Sequence, residues 1–343
     1  MRHLLNTLFV TTQGSYLKRE GETIIVRVEK ETRLQIPVHN LSGIICFGRV
    51  SCSPFLMGLC ARRGVVLSFL SEHGEFLARV QGPVCGNVLL RREQYRRSDK
   101  EPAALRIAGA LISAKIANAR NVLQRSARDG GEGPALEPLR QGAHALALVL
   151  GRVEAATTLD ALRGIEGEAA RLYFGVFDHL ITGDKAGFSF SGRTRRPPLD
   201  NVNALLSFVY TLLVHDITGA LEAVGLDPSV GFLHRDRPGR PSLALDLMEE
   251  LRPYLADRLV LSLINRQQVK ASGFTTTESG AVVMNDATRK ELLAAWQRRK
   301  QEEIQHAFID EKIPLGLLPY VQAMLLARHL RGGLDGYPPF LAR

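Results

Sequence analysis

Cysteine is scarce: 343 residues hold only Cys46, Cys52, Cys60 and Cys85. Their spacing fits neither the C-x-x-C of a zinc or redox site nor the density of a secreted disulfide scaffold, so they read as reduced packing residues of a cytoplasmic protein. Long hydrophobic runs are missing as well. No uninterrupted apolar stretch reaches the ~18 residues of a spanning helix, which excludes a membrane-spanning class. Leu4 to Val10 is broken by Asn6 and Thr7, has no A-x-A site behind it, and reads as a strand rather than a secretory signal. Gly187 to Arg193 lacks the Walker lysine, which excludes that stretch as a nucleotide-phosphate loop, and no Ser/His/Asp arrangement has supporting context. What is present is an ordinary globular composition, 45% hydrophobic and 23% charged, over a length of about two domains at ~150 residues each. Wholesale disorder is thereby excluded. Lys and Arg number 44 against 35 Asp and Glu, a net charge of +9 that attracts polyanions in a salt-dependent way.

The character of the chain changes along its length. Thr23 to Val28, Leu34 to Val38, Ile44 to Phe47, Val65 to Leu70 and Glu75 to Val80 read as strands, the last two joined through a Ser71-Glu72-His73-Gly74 turn. One helix interrupts them, Phe55 to Arg62, with Ser53-Pro54 as its cap and first residue and Gly64 as its stop. Turn residues cluster at Gly82-Pro83 and Gly86-Asn87. Helical periodicity follows over Ala103 to Arg125, Leu136 to Val153, Leu159 to Leu180, Val202 to Val224, Leu243 to Leu251 and Tyr254 to Asn265. Gly130 to Pro134 and Thr182 to Pro198 read as loops, and Phe274 to Met284 as a small hairpin. The expected fold class is α+β: a β-sandwich-like domain over 1–83, then a mainly α-helical catalytic domain over 84–343.

Three places carry chemistry. Glu166 lies on the apolar shoulder of its helix with Leu162, Ala169, Ala170 and Tyr173 as neighbours. A carboxylate so desolvated requires a cation, a metal or a proton; the structural alternative is a salt bridge to Arg163 or Arg171. Gly164 and Gly167 beside it each cost about 1 kcal/mol relative to Ala in a helix, which points to close approach of another group. His234 sits in a loop with Arg235, Arg237 and Arg240. Asp246, Glu249 and Glu250 stand at i, i+3 and i+4 of the next helix, where like charges repel unless a cation lies between them.

Histidine with carboxylates is a hard donor set suited to Mg²⁺ or Mn²⁺ and unlike the zinc patterns. The chemistry it supports is phosphoryl transfer. Arginines at 91, 92, 96 and 97, at 193, 195 and 196, and at 235, 237 and 240 offer contacts to a phosphate backbone. Arg298, Arg299 and Lys300, on a helix that also carries Glu302 and Glu303, read as a solvated face. His144, His179, His215 and His306 read as core or boundary residues.

Four segments in order carry a resemblance: Arg163 to Phe174, Pro198 to Tyr210, Gly231 to His234 and Ser242 to Pro253. Together with the β-then-α layout they resemble the CRISPR-associated adaptation integrase, the universal metal-dependent DNA endonuclease of spacer acquisition. The resemblance implies metal ligands at Glu166, His234 and Glu249, with Asp246 assisting one turn earlier, and places Tyr173, Asn203 and Arg252 close by. Some members carry Asp where Glu249 stands; both ligate hard cations. It also implies joining of a captured DNA's 3′-hydroxyl to a CRISPR repeat by transesterification, and cleavage of branched DNA. Further implied are a homodimer through the β domain and a bridging dimer of the small adaptation partner protein. The alternative is a catalytically idle, basic DNA-binding scaffold of the same fold. A metallohydrolase of small phosphate esters is disfavoured by arginines spread over well-separated segments.

Overall fold

The computed structural model describes residues 7–41, 43–72, 76–80, 82, 88–129 and 133–342. The chain divides into two compact units, Met1–Gly86 and Asn87–Arg343. Cys85, the His73-Gly74 tip of the hairpin, Gly130 to Glu132 and the turn residues Pro83 to Asn87 lie outside the described residues.

The first unit contains β1 (Thr7–Val10), β2 (Tyr16–Glu20), β3 (Thr23–Val28), β4 (Glu31–Pro37), β5 (Gly43–Phe47), β6 (Ser51–Cys52), α1 (Pro54–Arg63), β7 (Val66–Leu70) and β8 (Phe76–Val80). They form two four-stranded sheets, ordered β1-β5-β7-β8 and β4-β3-β2-β6. β5 and β7 are parallel, so the chain must cross over between them, and β6 with α1 makes that crossover. Ser53 Oγ accepts from the Leu56 amide at 3.2 Å and Gly64 closes α1 at φ +66°, as the two residues predict. Val10, Ile44 and Leu67 from one sheet and Leu17, Ile24 and Val26 from the other meet Leu56, Leu59 and Cys60 of α1 in a single core. Burial pushes the Cys46 and Cys60 thiols up to about 12, which leaves them unreactive packing residues. β2 goes beyond the expected strands because its Lys18-Arg19-Glu20 end is polar.

The second unit is helical: α2 (Val88–Ser98), α3 (Glu101–Asp129), α4 (Leu136–Leu150), α5 (Leu159–Gly175), α6 (Asn201–Val224), α7 (Ser242–Leu251), α8 (Arg258–Asn265), α9 (Asp286–Gln301) and α10 (Leu318–Leu330). Two hairpins accompany them, β9 (Phe274–Thr276) with β10 (Val282–Met284), and β11 (Glu303–His306) with β12 (Glu311–Pro314). α3 runs through the middle, its Ile107, Leu111, Ile112, Ile116 and Leu123 buried against α4, α5 and α7. Two expected helices end differently. α5 stops at Gly175 and a 3₁₀ turn, Phe177–Leu180, continues it, while Arg252–Asp257 winds as a π turn before α8. Pro253 has no N–H to continue the α ladder there, and such wide turns recur at functional sites.

α6 is long and apolar enough by mean hydropathy to cross a membrane, although no uninterrupted run of it is. In this fold 56% of its most apolar window is buried, facing α7 and α10.

Candidate active site

Asp246 is fully buried on the first turns of α7 and organises the loop before it. Its Oδ2 accepts from the amides of Phe232 at 2.5 Å and Leu233 at 2.9 Å, and its Oδ1 from the His234 amide at 2.9 Å. Oδ1 also meets His234 Nδ1 at 2.6 Å. A carboxylate at that nitrogen orients the ring and leaves Nε2 as the ring nitrogen that Asp246 does not engage. From the other side Arg163 on α5 donates to the Leu233 carbonyl at 2.8 and 2.6 Å. Gly231 lets the loop lie this close: a Cβ there would stand 2.7 Å from Asp246 Oδ2 and 3.0 Å from Ser242.

Glu166 on α5 and Glu249 on α7 converge on one cation, and it is neither Arg163 nor Arg171. It is Lys115, from the middle of α3. Its Nζ hydrogen-bonds Glu166 Oε1 and lies 2.7 Å from Glu249 Oε2. Arg252 Nη2 reaches Glu249 Oε1 at 3.3 Å. Burial pushes the Glu249 carboxyl up, but Arg252 and Lys115 more than offset it, so the group sits below the ordinary carboxylate range. Gly164 and Gly167 carry less than expected. A Cβ at either would meet open space, so no residue of the described chain approaches there.

The three carboxylates of α7 do not crowd one point. Asp246 serves the His234 loop, Glu249 the lysine, and Glu250 turns to the chain's last segment, accepting from Tyr337 Oη at 2.5 Å, Gln322 Nε2 at 3.0 Å and the Phe340 amide at 2.7 Å. The repulsion expected of their spacing is relieved by three separate partner sets.

The neighbours implied for the site are mostly internal supports. Asn203 is completely buried and its amide is saturated: Oδ1 accepts from Arg193 and the Thr194 amide, Nδ2 donates to the Gly192 carbonyl and Asp200. It holds the 192–200 loop and has nothing left for DNA. Arg252 is likewise withdrawn from the surface, its guanidinium 4.6 Å from the Tyr210 ring centre and paired with Glu249. Tyr173 is buried, its ring packed edge-on against Phe174 and Phe177. Arg235 is exposed and bound to Asp160 at 2.9 Å, and Arg237 is exposed while Arg240 is half-buried. Arg193 turns inward onto Asn203 and Ser207, leaving Arg195 and Arg196 exposed.

Asp257, buried beside this cluster, accepts from Tyr210 Oη at 2.6 Å. Burial lifts its carboxyl from 3.8 to about 6 even though Tyr210 and Arg252 pull it down. An acid raised in the folded state stabilises the fold fully below its unfolded value, and the contribution disappears as pH climbs through the folded value. Wild type therefore loses about 1.4 kcal/mol relative to Asp257→Asn between about pH 5 and about pH 7.5. Urea titrations of both proteins at the two pH values measure it; a pH-independent difference would refute the assignment.

Residues 8–298 match the model of the CRISPR associated protein Cas1 family. The chain belongs to the Cas1 family. It is 57% identical over all 343 residues, and the whole of the relative, to the CRISPR-associated endonuclease Cas1 1 of Chlorobaculum tepidum. To the CRISPR-associated endonuclease Cas1 2 of Rhodospirillum rubrum it is 54% identical over 99% of each chain. Among solved structures, a Cas1 protein from Thermotoga maritima superposes with a TM-score of 0.81 at 25% identity, covering 95% of this chain and 97% of that one.

For this Cas1 family member the fit of a divalent ion can be tested on the donors themselves. Among the described residues no group of three His, Cys, Asp or Glu stands close enough to hold a metal as the chain is arranged. Two anions nevertheless already share one cation, and Asp246 engages only Nδ1 of the His234 ring. Hard oxygen donors with one imidazole fit Mg²⁺ or Mn²⁺. Asp246 is not a fourth donor, because the loop amides and His234 engage both its oxygens.

Proposed function

We propose that the chain is a metal-dependent DNA endonuclease and integrase that inserts short captured DNA into a CRISPR array and cuts branched DNA. One observation carries the reading: Glu166 and Glu249, from helices distant in sequence, converge on a single cation, within electrostatic reach of the His234 imidazole that Asp246 holds. The 57% identity to a protein named as an endonuclease supports it. Glu166, Glu249 and His234 Nε2 would hold Mg²⁺ or Mn²⁺, which when bound supplies Lewis-acid polarisation of the phosphate and lowers the pKa of the attacking hydroxyl.

The chain's own part is to place these donors and charges. Arg252 and Lys115 keep Glu249 ionised, Asp246 keeps the proton on Nδ1, and Arg163 fixes the loop against α5. In strand transfer the captured strand's 3′-hydroxyl gives its proton to solvent as its oxygen bonds to a repeat phosphorus, the bond from that phosphorus to the repeat's own 3′-oxygen breaks, and that oxygen takes a proton from solvent and leaves as a hydroxyl. The exposed Arg195, Arg196, Arg235 and Arg237 give the duplex sequence-independent contacts. In this reading the chain works in the cytoplasm as a homodimer through its β domain, joined to the small adaptation partner protein.

The test is strand transfer of a labelled duplex with free 3′-hydroxyls into a plasmid carrying a CRISPR repeat, with the partner protein, in Mg²⁺ or Mn²⁺ against EDTA. Wild type gives joined product only with metal. Glu166→Ala, His234→Ala and Glu249→Ala each lose it by about 100-fold or more while retaining most duplex affinity. Duplex binding without product in any metal would turn the reading to the idle scaffold.

A further inference from the structure

The end of α9 is only in part the solvated face its sequence suggests: Arg298 is exposed, but the next two residues are not. Lys300 is 5% exposed and pairs with Asp216 at 2.8 Å, and Arg299 reaches the Tyr254 carbonyl at 3.1 Å. Between α8 and α9 lies a cavity of about 260 Å³ into which Arg258, Arg266, Arg298 and Arg299 project, with Glu302 the one acidic residue in its lining. We propose that this cavity binds a phosphodiester of a DNA backbone, as a second contact apart from the acidic site. The inference rests on the DNA-processing function proposed above and adds to it a place on the chain that holds the strand.

Three observations carry it. The first is uncompensated charge. Glu302 pairs with Arg299, and Arg298 with Glu291 at 2.9 Å outside the lining, whereas Arg258 and Arg266 have no carboxylate within ion-pair distance among the described residues. Two guanidiniums without a carboxylate, beside two that are paired, leave an excess of positive charge that an anion would relieve. Burial, with Arg299 and Arg125 nearby, holds the Arg258 guanidinium below its ordinary pKa, in keeping with that excess.

The second is preorganisation. Arg258 and Arg299 both lie over the Tyr254 ring, at 4.7 and 5.1 Å from its centre, which fixes two planar forks of the shape that matches phosphate oxygens. Arg299 Nε is buried without a hydrogen-bond acceptor. The third is the lining, which contains no aromatic side chain on which a base would stack. The contact is therefore to backbone and indifferent to sequence.

The cavity is not part of the acidic site. Arg252 and Tyr254 are two residues apart on one helical turn and so face opposite ways: Arg252 toward Glu249 and Tyr210, Tyr254 toward the arginines.

The experiment is fluorescence anisotropy of the full chain with a labelled duplex in EDTA over a range of NaCl, for wild type, Arg258→Gln/Arg266→Gln and the single, exposed Arg266→Gln. Losing two phosphate contacts lowers the slope of log K against log salt by about 1.8, the single variant by about 0.9, and weakens duplex binding of the double variant about 30-fold near physiological salt. A shuffled duplex responds equally. Unaltered slopes in variants that melt at the wild-type temperature would overturn the proposal. So would inorganic phosphate or dAMP binding wild type but not the double variant without displacing duplex, since the cavity then takes free phosphate compounds. Failure of wild type to bind any duplex would remove the DNA function itself, a result distinct from unaltered slopes.

Discussion

In EDTA the Lys115→Met protein unfolds about 3 kcal/mol more easily than wild type, the lower end of what breaking a buried ion pair costs. The lysine is 8% exposed and its ammonium is shared by two carboxylates. Methionine fills most of the volume but leaves Glu249, 3% exposed, with Arg252 alone, and takes from Glu166 its ion-pair partner. Arg252 is why the cost stays at the low end. Divalent metal should then reverse the deficit. Where ammonium and metal compete for the same two carboxylates, the variant binds Mn²⁺ more tightly than wild type, and its stability rises further on metal addition, by RT ln(1 + [M]/Kd). Urea melts with EDTA and with Mn²⁺, together with calorimetric titration of the metal, measure both effects. Equal stability in EDTA would deny the pair its structural weight, and weaker metal binding by the variant would mean that the lysine supports the ion rather than holding its place.

What the sequence made legible was whatever repeats at short range. The β-to-α change, the Ser53 and Gly64 ends of the first helix and the Phe274 to Met284 hairpin follow from local propensity and turn chemistry, and the fold has them. The acidic and imidazole residues stood out because each broke a local apolar or loop pattern. Their partners did not. Lys115 lies 51 residues from Glu166, and no spacing rule links the two. One signal was present: Lys115 follows Leu111 and Ile112 by four and three residues and precedes Ala119 by four, which puts it on the buried stripe of α3. A lysine there needs an anion as surely as Glu166 needs a cation. The three carboxylates of α7 show the opposite limit. Their spacing is local, but what separates them is the loop before α7 and residues 337–340 at the far end of the chain, and only tertiary structure brings those together. Arg299 and Lys300 followed the same rule: neighbours in sequence made them look solvated, as Arg298 is, but Arg299 turns onto Tyr254 and Lys300 onto Asp216.

Asp246→Ala removes more than a charge, and its expected effects are correspondingly large. Three backbone amides, of Phe232, Leu233 and His234, lose the carboxylate that accepts from them, and two of these residues are buried. Each buried donor left unmade costs about 1–3 kcal/mol, so the loop rearranges rather than staying in place at a penalty of several kcal/mol. His234 then has neither its position nor a group to hold the proton on Nδ1. Strand transfer should fall to the level of His234→Ala, and the double variant should be no worse than either alone, the non-additivity expected of residues acting as one unit. Asp246→Asn separates the two roles. Its single carbonyl oxygen still accepts from loop amides, but the NH₂ cannot accept from Nδ1–H, so the protein keeps most of its stability while activity falls about 10- to 100-fold, the range for loss of a group that orients a ligand histidine. Thermal melts of the three variants beside strand-transfer rates measure this. A folded Asp246→Asn protein with wild-type rates would show that Asp246 shapes the loop only, with no hold over the imidazole proton. Equal, additive losses in the double variant would place Asp246 and His234 in separate tasks.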